Sequence, residues 1–443
     1  MTGHTDRALI EMPVATQPPR PEGAAPTVCL IGGTRPEAIK IAPVVRAMRA
    51  AGRLHPIVLA SGQHPTSFTH ALAAFGEAPD IELAITRHSG TQPELAAALV
   101  AAFDAQLSML NPSAVLVQGD TTTALIAAMV AFWRRIAVVH LEAGLRSGDL
   151  RAPFPEEANR ALISRITNVH LAPTPRAARN LQREGIGGDV WCVGNTVVDA
   201  ALTMAHIAES EAARPAASGP LPGRLRRTER RLAAATERAR RGRSHLVLAT
   251  AHRRESWGDG LDHILAAMNE LADGDETVEI VFPAHPNAEV AARVHRALDH
   301  RERIIVTPPL DYPRLIQVLS VATLVCSDSG GIQEEAPTFG VPVLVLRDVT
   351  ERTEAVEAGT ATLVGTDAAT IVAHARAVLD GGHRFPIGRN PFGDGHASER
   401  TEQAVAWLLG RADHPPAAFR PAIGRPAGQR RRRAPLHGLA MPA

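Results

Sequence analysis

The chain has 443 residues, 45% of them hydrophobic, and a formal net charge of +1 at pH 7. That is enough for a large core and length for two or three domains. The near-zero charge excludes a global pull toward nucleic acid or membranes, and no run of about 18 apolar residues is present, so no transmembrane helix is expected.

Residues 1–25 carry Pro, Glu and Arg without a compact apolar segment. This argues against a secretory signal and predicts a disordered leader. Residues 27–31 form a short β run, followed by Gly32-Gly33-Thr34-Arg35-Pro36-Glu37. A helix is predicted over 38–50, with Ile39, Ala42, Val45 and Met48 at helical spacing and Pro36 suited to a first turn. Lys40 in this helix is the only lysine of the chain, arginine having displaced it elsewhere. The next strand, 55–60, ends in Ser61-Gly62-Gln63-His64. A long helix is predicted over 94–110 and a strand over 114–117, after which Gln118-Gly119-Asp120-Thr121-Thr122-Thr123 opens a further helix. The apolar run 136–139 leads into HLEAGLRSGDLRAPFPEEANR (140–160), which holds Glu142, Asp149, Glu156 and Glu157 among three arginines. Its glycines and prolines forbid a long regular element. A helix over 156–167 and a strand over 169–172 follow. This β–α alternation predicts a parallel, doubly wound sheet. Ligands bind beyond the strand ends of such sheets, so the acidic loop reads either as a ligand wall or as a solvated charged surface.

Between 205 and 243 the chain turns Pro- and Gly-bearing, then Arg-dense. No aromatics interleave with the arginines, so this reads as a solvated helix and linker rather than a nucleic-acid surface. The alternation then restarts. Strands are predicted at 245–250, 278–282, 303–306, 324–327 and 341–346. Polar stretches follow them, including Ala251-His252-Arg253-Arg254-Glu255-Ser256, Leu310-Asp311-Tyr312-Pro313, Asp328-Ser329-Gly330-Gly331 and Arg347 through Arg352. Two α/β domains in sequence can face each other across a cleft. Cys29, Cys192 and Cys326 lie far apart in strand-like runs. Without CxxC or metal spacing they read as buried thiols in a reducing compartment, and no metal is expected. The Pro-, Arg- and Gly-rich end cannot bury enough apolar surface to order itself.

Asp328-Ser329-Gly330-Gly331 lies between a strand and a helix, where two glycines admit a ligand and free N–H groups favour an anion. A plain tight turn reads equally well. Gly33-Thr34-Arg35-Pro36 is similar but is not GxGxxG, so the dinucleotide fingerprint is missing from the first βα turn. Asp120 and Glu142 are strand-end carboxylates in one domain, although Asp120 also suits a helix N-cap. His252 holds the matching place in the other domain. Acids on one wall, with cations and phosphate-binding backbone opposite, suit proton transfer on a nucleotide-activated substrate.

As a set the motifs resemble those of the non-hydrolysing UDP-N-acetylglucosamine 2-epimerases. The matching stretches include GTRPEAIKIAP (33–43), GQH (62–64), QGDTTT (118–123), HLEAGLRSGDL (140–150), PFPEEANR (153–160), GNTVVDA (194–200), AHRRES (251–256), DSGGIQEEAP (328–337), GVPVLVLRD (340–348) and NPFGDGHAS (390–398). The resemblance implies two Rossmann-like doubly wound domains of GT-B type with the active site in the interdomain cleft. It implies a first domain over 26–195 completed by a C-terminal helix over 396–411 and a second domain over 196–395, with the leader over 1–25 and the disordered tail over 412–443 lying outside the resemblance. It further implies conversion of UDP-GlcNAc to UDP-ManNAc without a cofactor, through elimination of UDP and its re-addition to 2-acetamidoglucal, in a cytoplasmic homodimer supplying surface polysaccharide precursors.

Carried over position by position, Asp120, Glu142 and Glu156 match the catalytic carboxylates and His252 the active-site histidine. Arg35, Lys40, Ser329, Gly330, Gly331, Glu335 and Arg352 match UDP-binding positions, Glu335 facing the ribose. Gln63 and His64 match a loop tied to allosteric substrate binding in some members. Departures are Gly32, Asn168, Ser256, Thr353, the HPNA stretch (285–288), and Leu310 and Leu315 near the expected uracil. Two other readings share parts of this pattern. A GT-B glycosyltransferase would need an acceptor but not three carboxylates on one wall, and a non-catalytic UDP-sugar-binding protein would not need them at all. An epimerase acting on a modified UDP-GlcNAc derivative stays open as well.

Overall fold

The computed structural model describes residues 24–212, 223–253, 257–381 and 390–421. Most of the predicted leader and tail, and Arg254, Glu255 and Ser256 of the AHRRES stretch, lie outside the described residues. The first half runs β1 (Thr27–Gly32), α1 (Arg35–Ala51), β2 (His55–Ala60), α2 (Pro65–Ala73), β3 (Ile81–Glu82), α3 (Gln92–Leu110), β4 (Ala114–Gln118), α4 (Thr122–Trp133) and β5 (Ala137–Leu141). It continues through α5 (Glu156–Ile166), β6 (Val169–Ala172), α6 (Pro175–Arg183) and β7 (Asp189–Cys192). These seven strands form one parallel sheet in the order β3-β2-β1-β4-β5-β6-β7.

Two helices, α7 (Thr196–Ala212) and α8 (Gly223–Arg240), precede the second half. That half runs β8 (His245–Thr250), α9 (Asp259–Gly274), β9 (Val278–Pro283), α10 (Ala288–Leu298), β10 (Ile304–Thr307), α11 (Tyr312–Leu319), β11 (Leu324–Ser327), α12 (Gly330–Glu335) and β12 (Val343–Val345). It ends with α13 (Thr353–Glu357), β13 (Ala361–Leu363), α14 (Ala368–Leu379) and α15 (Ala397–Leu408). The second sheet is also parallel, ordered β10-β9-β8-β11-β12-β13. All strands run parallel, and the strand order reverses at β1/β4 in one sheet and at β8/β11 in the other. Both crevices therefore have the place where doubly wound sheets hold ligands.

Several expectations change. The stretch 205–243, read as a solvated helix and linker, holds the end of α7 and an α8 that keeps Arg226, Arg227, Arg230, Arg238 and Arg240 exposed while burying one side; α7 begins before it. Val197, Val198, Ala200, Ala201 and Met204 of α7 are buried in a core that holds residues of both sheets, and α7 packs on α1 and α15 as well as α11 and α12. Leu232 and Ala235 of α8 are buried in the same core. Residues 412–421, expected in a disordered tail, are docked: Phe419 is buried, and its N–H donates to the Cys192 carbonyl at 2.7 Å beside the edge strand β7. Cys29 and Cys326 are buried thiols, pushed up to about 12 by burial, but Cys192 is only half-buried. Among the described residues one helix, α3, is long and apolar enough by length and composition to cross a membrane. Its Leu95, Leu99, Phe103 and Leu107 are buried in the core against α4.

Candidate active site

The β1–α1 turn is tied to the β4–α4 turn by one buried carboxylate. Thr34 and Glu37 form a capping box on α1. Glu37 accepts from the Gly33 and Thr34 N–H groups at 3.0 and 2.8 Å, and from the hydroxyls of Thr34 and Thr121 at 2.8 and 2.7 Å. Gly33 has no room for a side chain: a Cβ there would stand 2.0 Å from Ser61 Oγ and 3.0 Å from Gln63 Cβ. Gln63 and His64 are built into the back of this turn, where Thr123 donates to Gln63 at 2.7 Å and the His64 N–H to Gly33 O at 3.0 Å.

Asp120 is not the helix cap. Thr121 caps α4, its hydroxyl accepting from the Ala124 N–H at 3.0 Å. The Asp120 carboxylate instead pairs with Arg160 of α5, and its carbonyl accepts from Asn159 at 2.8 Å. Arg160 also bonds Glu157 at 3.0 Å, and Glu157 accepts from the Ser147 and Gly148 N–H groups at 3.0 and 3.1 Å. The acidic loop is thus folded around its own Glu157. On the other side of Asp120, His140 Nε2–H donates to the Gly119 carbonyl at 2.7 Å.

Glu142 follows β5 with φ +65, a conformation that side chains rarely adopt. The register Gln118↔Leu141 brings Gln118 alongside, and its amide donates to the Glu142 carboxylate. Lys40 Nζ lies 2.5 Å from the same carboxylate. Burial disfavours both charges. The pairing with Lys40, helped by Arg352, still holds the Glu142 carboxyl below its ordinary range, and Glu142 with Glu334 holds Lys40 above its own.

In the second sheet, the buried Asp328 accepts from the N–H groups of His252 and Arg253 at 2.8 to 3.1 Å, fixing the loop after β8 to the one after β11. The His252 ring stands 5.7 Å from that of His285, and burial lowers its pKa. Ser329 is the N-cap residue of α12, and Gly330 lies under the Arg352 guanidinium, which a Cβ there would approach to 3.3 Å. Arg352 Nε donates to Glu334 at 2.9 Å. Glu335 is buried beside Tyr312, and burial pushes its carboxyl up to about 7.

The two halves meet. Arg35 donates to the Leu310 carbonyl at 3.2 Å, Asn195 to Glu334 at 3.2 Å and Thr174 to Glu354 at 2.8 Å. A cavity of about 180 Å³ lies between them, walled by Lys40, Asp120 and Glu142 from the first sheet and Arg352 from the second. Glu37, Gln118 and Arg160 also face it. Four of the residues singled out by sequence therefore meet in one space. Glu156, His252, Ser329, Gly331, Glu335 and Arg35 do not line it. Gln118, Arg160 and Glu334 were not picked out from the sequence. For Arg160 a signal existed, since it stands three and four residues after two acids on one predicted helix. Among the described residues, no group of three or more His, Cys, Asp or Glu is placed to hold a metal.

The family model for UDP-N-acetylglucosamine 2-epimerase matches residues 46–406. The UDP-N-acetylglucosamine 2-epimerase of Salmonella typhimurium is 38% identical over 382 residues, covering 85% of this chain and 98% of that protein. The enzyme of the same name from Escherichia coli K12 is 37% identical over 385 residues, with the same coverage of 85% and 98%. The crystal structure of UDP-GlcNAc 2-epimerase from Neisseria meningitidis bound to UDP-GlcNAc superposes with a TM-score of 0.74 at 34% identity, covering 87% of this chain and all of that one. The chain belongs to the UDP-N-acetylglucosamine 2-epimerase family, and with it to the isomerases.

Proposed function

We propose that the cleft interconverts UDP-GlcNAc and UDP-ManNAc by eliminating and re-adding UDP. The observation that carries this reading is the single cavity in which Asp120 and Glu142 meet Lys40 and Arg352. C2–H has no adjoining carbonyl, so its loss must be coupled to a departing group. A carboxylate takes the C2 proton, the C–H electron pair becomes the C1–C2 double bond, and the C1–O pair leaves with UDP. Lys40 and Arg352, with Arg35 and the Ser329–Gly331 turn, stabilise the charge that develops on the diphosphate. A second acid then delivers a proton to the other face of C2, and UDP returns to C1. Asp120, Glu142 and Glu156 are the candidates for the two faces, with His252 beside the leaving diphosphate and Glu335 toward the ribose. Gln63 and His64 are proposed to report on a second, regulatory ligand through the Gly33 turn.

We further propose a homodimer working in the cytoplasm and supplying precursors for surface polysaccharide. Met109, Phe132 and Trp133 stand exposed at the ends of the adjacent helices α3 and α4, a face suited to a second copy. The free thiols fit a reducing compartment.

The decisive experiment incubates the protein with UDP-GlcNAc in deuterated water without NAD or acceptor. UDP-ManNAc formation with deuterium at C2 is expected. UDP-ManNAc that retains only protium at C2 would rule the elimination route out.

A further inference from the structure

Two buried carboxylates and two partly buried cations cross the cleft in an alternating set. Lys40 Nζ is 2.5 Å from Glu142, and Arg352 Nε is 2.9 Å from Glu334. The fields also cross: Lys40 feels Glu334, and Arg352 feels Glu142. Glu142 and Glu334 are 8% and 2% exposed, so water cannot screen either carboxylate well. Two cations and two carboxylates make this set neutral. Two cations held ready for a diphosphate in so dry a place would be costly without counter-charges, and Glu142 and Glu334 supply them.

The two carboxylates are not anchored alike. Glu334 has its own donor in Asn195 at 3.2 Å, and its backbone carbonyl accepts from Asn390 at 2.7 Å. Glu334 thus engages both carboxylate oxygens, one with Asn195 and one with Arg352, whereas Glu142 takes both Gln118 and Lys40 on a single oxygen, on a strand end with positive φ. When a third anion reaches the cations, Glu334 is the partner that stays and Glu142 the one that yields.

We propose that Lys40 and Arg352 are shared between Glu142 and the diphosphate of the substrate, so that binding draws both cations off Glu142 and leaves it to take up a proton, while Glu334 is the positioning residue that keeps Arg352 in the cleft. This rests on the reading that the cleft binds a UDP-sugar. The charged groups facing Glu142 are Lys40 from α1, Arg160 from α5, Arg352 before α13 and the Glu334 carboxylate from α12. His140, two residues back on β5, stays neutral because burial lowers its pKa to about 3. In the free protein the cations prevail and Glu142 stays ionised. With a diphosphate in place its nearest new neighbour is an anion, and a carboxylate beside another anion gains proton affinity. Glu142 is thereby armed as a proton donor only while UDP occupies the site, which keeps acid chemistry and leaving-group binding in step.

UDP alone tests the exchange, because it binds without reacting. Calorimetric titrations between about pH 5 and 6, in two buffers of different ionisation enthalpy, give the protons taken up on binding. Wild type is expected to take up a measurable fraction of a proton more than Glu142→Gln. In wild type the alkaline limb of kcat, set by loss of the donor's proton from the substrate complex, should lie at higher pH than that of kcat/KM, which reports the free enzyme. In Glu334→Gln, Arg352 loses its fixed partner and leans on Glu142, so the alkaline limb of kcat/KM moves down and KM rises several-fold. Equal proton uptake in wild type and Glu142→Gln, or coincident limbs in wild type, overturns the exchange. UDP that fails to bind wild type at all overturns instead the substrate reading beneath it. The comparison of limbs needs no variant, so it stands even if a substitution prevents folding.

Discussion

Asp120 and Glu142 look alike in the sequence, each a carboxylate just past an apolar strand, but their settings differ. Asp120 is clamped by Arg160 and half-open; Glu142 is buried against Lys40. Asp120→Asn and Glu142→Gln should each cut turnover by about 100-fold or more, read by coupled UDP-ManNAc detection. Arg160→Met should lower kcat by about 10-fold with little change in KM, because it loosens Asp120 without touching the cations. The clamp was hidden from the sequence since it depends on how far the loop 147–155 brings α5 back over β4. Glu334 and Glu335 show the same limit at closer range. They are neighbours in one motif, yet one faces Arg352 and the other Tyr312, because consecutive helical residues point about 100° apart. His140 makes a pH prediction. Burial lowers its pKa to about 3, and that of His170 in the same direction. The unfolded chain binds a proton below about pH 6.5 that the folded chain refuses, so stability is intact above that value and falls as pH drops toward the folded value, by up to about 1.4 kcal/mol per unit for each histidine. Thermal unfolding should show that loss between pH 6.5 and 5, and His140→Gln, which keeps a donor for Gly119, should flatten it.

At the scale of elements, β–α alternation was legible because most strands are apolar runs ending in polar turn residues; the short, partly exposed edge strands β3, β7 and β13 were not. Elements that take their place from distant partners were not. The α7 sequence is a helix in either domain; only its burial against α1 on one side and α11 on the other makes it a bridge. The docked segment ending near Phe419 likewise depends on one ring and one main-chain bond that composition does not reveal. The β4–α4 turn offers a test at this scale. Thr121 caps α4 and donates to Glu37, so Thr121→Ala removes a cap and leaves a buried carboxylate oxygen short of a donor. A loss of about 1 to 3 kcal/mol is expected in denaturant unfolding, and a shift below about 0.3 kcal/mol would contradict the turn-to-turn link.

Taken whole, the molecule is two sheets whose switch points face each other, joined by α7 and by polar ties at the rim. Arg176 pairs with Glu357 and lies 3.8 Å from Glu354, which also accepts from Thr174. Rim pairs of this exposure are worth about 0.2 to 1 kcal/mol each. Replacing Glu354 and Glu357 together by Gln should raise KM by no more than about 10-fold and leave kcat nearly unchanged, since closure weakens while the cavity keeps its groups. Such long-range pairing was out of reach of sequence patterns, which place residues on strands and turns but not across a cleft.

Lys40 is the only lysine, its side chain is 13% exposed, and its amine is spent on an ion pair. An acylating reagent needs a free, unprotonated amine. The folded protein therefore withholds its one lysine from such a reagent, and each molecule that opens its cleft exposes that amine. Counting adducts on the Lys40 peptide by mass turns a single residue into a clock for opening, with UDP expected to slow it and denaturant to bring it to one per chain.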